Sequence, residues 1–172
     1  RVLTRTDKSP MALMLYLACL RSGVIYVPVN PACTDDELDY FLADANPTLF
    51  IGDKEFCVRV SNSHGIQSLS LDQNGQGALV DAAQALPFDH DIADSQADDV
   101  AVLIYTSGTT GTPKGAMLIH NNLLANAQTL HTAWGWSSDD VLLHCLPIFH
   151  VHGLFVATHL AMLGASTLLF LP

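Results

Sequence analysis

The feature that most constrains the fold is a short apolar run, residues 100–105, that leads directly into a glycine-rich segment. That segment, residues 105–115, reads Y-T-S-G-T-T-G-T-P-K-G. A continuous apolar run that ends in turn residues is typical of a buried strand in a parallel sheet. Open α/β sheets bind ligands at the carboxyl ends of such strands. The pattern therefore predicts a binding loop at one edge of a helix-covered sheet.

The chemistry of this loop suits a nucleotide triphosphate. Glycine lets the backbone approach a ligand closely, and successive backbone N–H groups in such a turn form a concave anion-binding nest. Ser107, Thr109 and Thr110 add hydroxyl donors, and Lys114 supplies a compact positive charge for phosphate oxygens. We therefore expect the loop to hold phosphates, whereas a plain polar surface loop is the alternative for such a composition.

Two familiar phosphate loops do not fit the spacing. A Walker A loop has Gly, four residues and then Gly-Lys-Ser/Thr, but counting from Gly108 puts Pro113 where the second glycine belongs. Rossmann and kinase loops need G-x-G-x-x-G, whereas the glycines here stand at 108, 111 and 115. The loop is of a different type.

Composition and charge exclude several classes of protein. The 172 residues are 49% apolar and 14% charged, which is typical of the interior of a large α/β domain. A net charge of −10 argues against nucleic acid or an anionic membrane surface as a partner. No apolar run is long enough to span a membrane.

The chain begins at Arg1 rather than Met and stops at Pro172 directly after an apolar run, so we interpret it as an excerpt of a longer protein.

The cysteines predict a reducing compartment, either the cytoplasm or the mitochondrial matrix of a eukaryote. Four are present and no C-x-x-C pair occurs, so a zinc or thioredoxin-like centre is not expected. Cys19 and Cys145 stand in apolar segments and are predicted to be small core residues.

Apolar periodicity and turn residues predict alternating strands and helices. Ser9 and Pro10 mark the start of one helix, and Thr34 with Glu37 forms a capping box at the start of another. Asn121 or Asn122 is expected to cap a helix after the loop. Helices are predicted at residues 10–22, 35–45, 79–86, about 122–134 and 153–163. Strands are predicted at residues 24–27, 48–51, 58–60, 66–71, 100–105, 116–119, 141–146 and 166–171. This order predicts an α/β fold with a mostly parallel sheet flanked by helices.

A second candidate segment, residues 146–153, reads L-P-I-F-H-V-H-G. The predicted helix that follows places one of the two, His150 or His152, at its start. Two such histidines can ligate a metal, but no acidic residue or cysteine stands nearby in sequence to complete the site. Buried histidines that bond to the backbone are the alternative.

Both segments resemble those of adenylate-forming enzymes, the superfamily of acyl-CoA synthetases, peptide-synthetase adenylation domains and luciferases. The string 105–115 is similar, almost letter for letter, to the phosphate-binding signature of that family. The aromatic-His-x-x-Gly pattern that begins at Phe149 also falls where the family has one. The longer string L-P-I-F-H-V-H-G-L-F-V-A and residues 9–52 resemble malonyl-CoA synthetases in particular. By this resemblance, residues 1–172 are part of the N-terminal AMP-binding domain, truncated at both ends, and the C-terminal domain is absent.

The resemblance implies a reaction in two steps, with ATP, Mg²⁺ and coenzyme A as cofactors or co-substrates. A small-molecule carboxylate attacks the α-phosphate of ATP and releases pyrophosphate, and the thiol of coenzyme A then displaces AMP. Lys114 would neutralise the phosphates and help pyrophosphate depart. Thr110 is a candidate contact to the phosphate-bridging Mg²⁺. The other residues implied in phosphate binding are Thr106, Ser107, Gly108, Thr109 and Gly111.

The resemblance also assigns an acyl pocket. His150 would sit at its mouth beside the α-phosphate and orient the carboxylate, while Phe149, His152 and Gly153 would line or flank it. A polar ring at His152 suits a short polar acid such as malonate better than an alkyl chain. The family's catalytic lysine lies in its C-terminal domain, so we expect the isolated chain to bind nucleotide weakly and not to turn over.

Three other functions stay open on the sequence. The acid could be a medium-chain, aryl or amino acid rather than malonate. The protein could be a non-catalytic nucleotide-binding relative. It could also be a phosphotransferase or NTPase, which would release ADP without a carboxylate, whereas the ligase releases AMP and pyrophosphate.

Overall fold

The computed structural model describes residues 1–88, 91–106 and 113–171, and within them strands and helices alternate. The strands are β1 (Val2–Arg5), β2 (Tyr26–Pro28), β3 (Leu49–Gly52), β4 (Gln67–Ser70), β5 (Val100–Thr106), β6 (Lys114–Ile119), β7 (Val141–His144) and β8 (Thr167–Phe170). The helices are α1 (Pro10–Arg21), α2 (Asp35–Ala45), α3 (Lys54–His64), α4 (Ala78–Gln84), α5 (His120–Ala133) and α6 (Thr158–Leu163). A π-helical turn, His152–Ala157, leads directly into α6.

The main sheet has the strand order β4-β3-β1-β2-β5-β6. Its first five strands are parallel, and β6 pairs antiparallel with β5 to form a hairpin. Strands β7 and β8 form a second, parallel pair. The prediction of an α/β fold with a mostly parallel sheet and flanking helices is therefore confirmed.

Buried side chains on both faces of the main sheet explain why its strands read as apolar runs. One cluster includes Tyr16 of α1, Val102 of β5 and Phe155 of the π-helical turn. The other includes Leu3 of β1 and Phe41 of α2. Because helices cover both faces of the sheet, a strand carries apolar side chains on both of its faces. The uncovered carboxyl ends of the parallel strands are thus where polar residues can gather.

The N-terminal caps of helices α1 and α2 are formed by the predicted residues. The hydroxyl of Ser9 accepts a hydrogen bond from the Ala12 amide at 3.1 Å, with Pro10 as the first residue of α1. At α2 the Glu37 amide donates to the Thr34 hydroxyl at 3.3 Å, and the Thr34 amide donates to the Glu37 carboxylate at 2.8 Å. The predicted capping box is confirmed.

The predicted strand at residues 58–60 is wrong, because this segment lies within helix α3. The Asp53 carboxylate caps the helix by accepting from the Phe56 amide at 3.0 Å, and Gly65 ends it in the left-handed conformation. Cys57 and Val60, three residues apart, face the core. Two valines close together suggested a strand, but the caps and this helical spacing decide the structure.

Three further differences are local. β1 was not predicted, although it lies in the middle of the sheet. Helix α5 begins at His120, and the Asn122 side chain accepts from the Ile119 amide at 3.1 Å, so neither Asn121 nor Asn122 is the N-cap. Cys19 is buried as predicted, but Cys145 is exposed, because β7 ends one residue before it.

Candidate functional site

The base of the predicted phosphate loop is the open end of the β5–β6 hairpin. β5 ends at Thr106 and β6 begins at Lys114, and these two residues are paired across the hairpin. Both side chains are exposed. Ser107, Gly108, Thr109, Thr110 and Gly111 lie outside the described residues, so their phosphate contacts stay predictions. The structure places Thr106 and Lys114 on either side of the loop entrance.

Helix α2 holds both strands of this hairpin near the loop. The Tyr40 hydroxyl donates to the Pro113 carbonyl at 2.8 Å, and the Tyr105 hydroxyl donates to the Asp44 carboxylate at 2.6 Å. The Tyr105 ring packs on Phe41 with 4.5 Å between ring centroids. Burial, followed by the hydrogen bond to Asp44, raises the pKa of Tyr105, so its hydroxyl remains a donor. Tyr40 and Asp44 were not predicted from the sequence, because their contacts join positions 73 and 61 residues apart.

The second predicted segment turns sharply between β7 and the π-helical turn. Residues 148–150 form a turn and Val151 is helical, so His150 and His152 do not lie on an extended stretch. His150 is exposed and its ring lies 4.4 Å from that of Phe149. His152 is exposed at the first residue of the π-helical turn, where a helix start was expected. Such π-helical turns are frequent at functional sites.

A cleft of about 140 Å³ joins the two segments. Phe149 and His150 line one side of it, and Tyr105, at the base of the phosphate loop, lines another. The remaining lining residues come from the end of β2 and from α2 and the turn before it: Pro28, Val29, Asn30, Ala32, Cys33, Glu37 and Phe41. The predicted residues Thr106, Lys114, His152 and Gly153 do not line this cleft among the described residues. The fold thus brings Phe149 and His150, which are predicted to flank an acyl pocket, to one cleft with the loop base.

A buried histidine that the sequence did not reveal fixes the turn that carries His150. The ring of His144 is 1% exposed, and its Nε2 donates to the Gly153 carbonyl at 2.8 Å. The Thr158 hydroxyl donates to the same carbonyl at 3.0 Å. Burial lowers the pKa of His144, so the ring is neutral and carries its proton on Nε2. A histidine at the end of an apolar strand carries no sequence signal for this role.

Gly153 itself is required by close backbone approach. A Cβ at this position would lie 2.1 Å from the carbonyl oxygen of Pro147. Gly153 therefore shapes the turn before the π-helical turn.

Lys8 holds the end of β7. Its ammonium donates to the carbonyl of His144 at 2.6 Å and lies over the Phe170 ring, which ties the end of β7 to the segment after β1.

Metal ligands and membrane spans can be assessed only in the described part of the chain. There, no group of three or more His, Cys, Asp or Glu residues is arranged to hold a metal ion. Thr110, the predicted contact to Mg²⁺, lies outside it. None of the described helices has both the length and the apolar character needed to cross a bilayer.

Comparisons with known proteins agree on one family. The family model described as AMP-binding enzyme matches residues 1–172. The mitochondrial malonate–CoA ligase of Mus musculus is 34% identical over 155 residues, which are 88% of this chain and 26% of the mouse protein. The ATP-bound MatB structure from Rhodopseudomonas palustris superposes with a TM-score of 0.94 at 44% identity, over all of this chain and 35% of MatB.

A further solved structure is a malonyl-CoA ligase in a ternary product complex with methylmalonyl-CoA and AMP. It superposes with a TM-score of 0.76 at 30% identity, over 99% of this chain and 35% of that one. The chain thus spans about a quarter to a third of the length of these relatives.

Proposed function

Since the chain belongs to the AMP-binding enzyme family, we propose that the protein containing it activates a short carboxylic acid with ATP and transfers the acyl group to coenzyme A. A carboxylate oxygen attacks the α-phosphate and pyrophosphate leaves, which gives an acyl-adenylate. The thiol sulphur then attacks the acyl carbon, the thiol proton is lost and AMP leaves. The observation that carries this proposal is the cleft that joins Phe149 and His150 to the base of the phosphate loop.

The residues of this chain have distinct roles in the proposal. Lys114, exposed at the loop entrance, neutralises the phosphates and stabilises departing pyrophosphate. Hydroxyls and backbone amides of residues 106–111 hold the β- and γ-phosphates. His150, at the edge of the cleft, orients the carboxylate toward the α-phosphate. Positioning and charge stabilisation carry most of the rate, because the reaction needs no protein nucleophile.

Malonate is the acid we propose. The mouse relative is named for malonate, and the ternary structure contains methylmalonyl-CoA. His152 is exposed two residues after His150. A polar ring there suits a short dicarboxylate better than an alkyl chain. Another acid is the principal alternative, since the phosphate loop does not contact the acyl group in this proposal.

Magnesium belongs to the proposal through the phosphates. Mg²⁺ prefers oxygen ligands and commonly binds nucleotides through phosphate oxygens with few protein ligands. The Thr110 hydroxyl fits that chemistry and is the residue proposed to contact the ion. When bound, the ion would neutralise phosphate charge.

The test is carboxylate-dependent exchange of pyrophosphate into ATP by the complete protein. Malonate should support faster exchange than acetate, octanoate or benzoate. Lys114→Ala should slow exchange with every acid by roughly 100-fold, the lower range for loss of one preorganised electrostatic contact to the transition state.

Each other outcome identifies one of the alternatives. Faster exchange with a different acid would retain the ligase and reject malonate. ADP formation without any acid would identify an NTPase, and nucleotide binding without exchange or hydrolysis would identify a non-catalytic relative. An unchanged rate in Lys114→Ala would reject the role of the lysine.

A further inference from the structure

Tyr40 fixes the peptide group that leads into Lys114. Its hydroxyl donates to the Pro113 carbonyl at 2.8 Å, across 73 residues of sequence. A peptide group is planar, so the Pro113 carbonyl, the Lys114 nitrogen and the Lys114 Cα move as one unit. A hydrogen bond to that carbonyl therefore restrains the point from which the lysine side chain extends.

This restraint matters because β6 is an edge strand. Within the described part of the chain, its one strand partner in the main sheet is β5, and its first four residues, 114–117, are exposed. The bond from Tyr40 is thus a link between the start of β6 and a helix packed on the sheet. The ring of Tyr40 is itself held edge-on against Phe41 and Tyr105, with centroids 5.7 and 6.2 Å apart.

A second bond fixes the opposite strand of the hairpin to the same helix. The Tyr105 hydroxyl donates to Asp44 at 2.6 Å. Tyr40 and Asp44 are four residues apart and so lie on one face of α2. The helix therefore contacts Tyr105 and Pro113, which flank residues 106–112 in the sequence.

We propose that Tyr40 is a positioning residue for Lys114, acting through the Pro113 carbonyl, and that the Tyr105–Asp44 bond sets the other side of the loop entrance. The proposal rests on the proposed function of Lys114 as a phosphate-binding cation. A lysine side chain has a flexible four-carbon stem, so fixing its backbone origin narrows the region that its ammonium samples.

The decisive experiment is a double-mutant cycle on ATP binding by the complete protein. Tyr40→Phe removes only the hydroxyl and should raise the Kd for ATP roughly 2- to 10-fold, the range that one hydrogen bond is worth. In a Lys114→Ala background the same change should alter Kd by less than about twofold, because its effect passes through the lysine. Equal effects in the two backgrounds would overturn the proposal.

Tyr16→Phe is the matched control. The Tyr16 hydroxyl bonds to His159 Nε2 at 2.8 Å, which links α1 to α6 rather than α2 to the loop entrance. Its removal should change the Kd for ATP by the same factor with or without Lys114. If Tyr16→Phe showed the same dependence on Lys114 as Tyr40→Phe, the coupling would be a general loss of stability and the proposal would fail.

Two readouts separate this proposal from the proposed function. If no acid supports exchange of pyrophosphate into ATP, the ligase proposal fails, while the double-mutant cycle on the Kd for ATP still tests Tyr40. Amide hydrogen exchange needs no ligand at all. Tyr40→Phe should speed amide hydrogen exchange at residues 114–119 and leave the amide exchange rates of β1 and β3 unchanged. Unchanged exchange in β6, or equally faster exchange throughout the sheet, would overturn the positioning role.

Discussion

Single residues in the second segment show how a backbone requirement and a side-chain role combine. Gly153 permits the close approach to Pro147, and its carbonyl accepts from both His144 and Thr158. The aromatic, histidine and glycine of this segment were singled out from their order in the sequence, and their roles at an acyl pocket stay predictions. His144 and Tyr40 were not, because their roles depend on contacts that only the folded chain creates.

Gly153→Ala should destabilise the protein strongly. The added Cβ would meet the Pro147 carbonyl oxygen at 2.1 Å, which forces the turn apart. We expect a loss of about 3 kcal/mol in the free energy of unfolding, as for severe overpacking, measured by urea denaturation.

Gly65→Ala is the matched control for that substitution. Gly65 has a φ of +65°, and beyond its chain neighbours no atom of the described residues lies within 4 Å of the point that an added Cβ would occupy, so its replacement adds backbone strain without a collision. It should cost about 1 kcal/mol. Equal losses for the two variants would contradict the steric role of Gly153.

The contact between helices α1 and α6 depends on two buried rings, a tyrosine and a histidine, that are both neutral. Tyr16 of α1 bonds to His159 of α6 at 2.8 Å, and the two rings stack with centroids 5.7 Å apart. Helix ends were predictable where Ser9 and Thr34 supply local caps. The segment at residues 58–60 was not, since short apolar runs fit helix and strand alike.

Acid should weaken the contact between α1 and α6. Burial lowers the pKa of His159 from 6.5 to about 4. Because the unfolded chain binds a proton more readily, the stabilisation is present above pH 6.5 and is lost as the pH falls toward 4. The full loss corresponds to about 3 kcal/mol in the free energy of unfolding.

His159→Gln supplies the comparison, since glutamine does not titrate and can still accept from the Tyr16 hydroxyl. Unfolding free energies measured between about pH 7.5 and 4 should fall less steeply in this variant than in the unsubstituted protein. Parallel curves would mean that His159 does not carry the pH dependence.

At the scale of the whole molecule, fold class could be predicted and strand order could not. Alternating strands and helices with two-sided apolar strands are sufficient to indicate a parallel α/β sheet. The order β4-β3-β1-β2-β5-β6 depends on which strands pair, and β1 occupies the middle without a distinctive sequence signal. The same pairing brings residues 105 and 149 to one cleft.

ATP should stabilise the whole molecule more than AMP at equal concentration. The net charge of −10 opposes a polyphosphate, and in the proposed function the loop and Lys114 supply the attraction. A ligand at about 100 times its Kd adds about 2.7 kcal/mol to the free energy of unfolding, which is measurable as a rise in Tm. Lys114→Ala should reduce the advantage of ATP over AMP. Equal shifts for both nucleotides in the unsubstituted protein would contradict phosphate binding by the loop.

The antiparallel β6 has one more consequence. In many nucleotide-binding folds the phosphate loop runs from a strand into a helix, whose macrodipole places about half a positive charge behind the phosphates. Here the chain leaves the loop as a strand, so that partial charge is not supplied by the following element. In the proposed function Lys114 supplies part of what a helix end contributes elsewhere. A charge-conserving Lys114→Arg should therefore retain more function than Lys114→Met, which keeps the length alone.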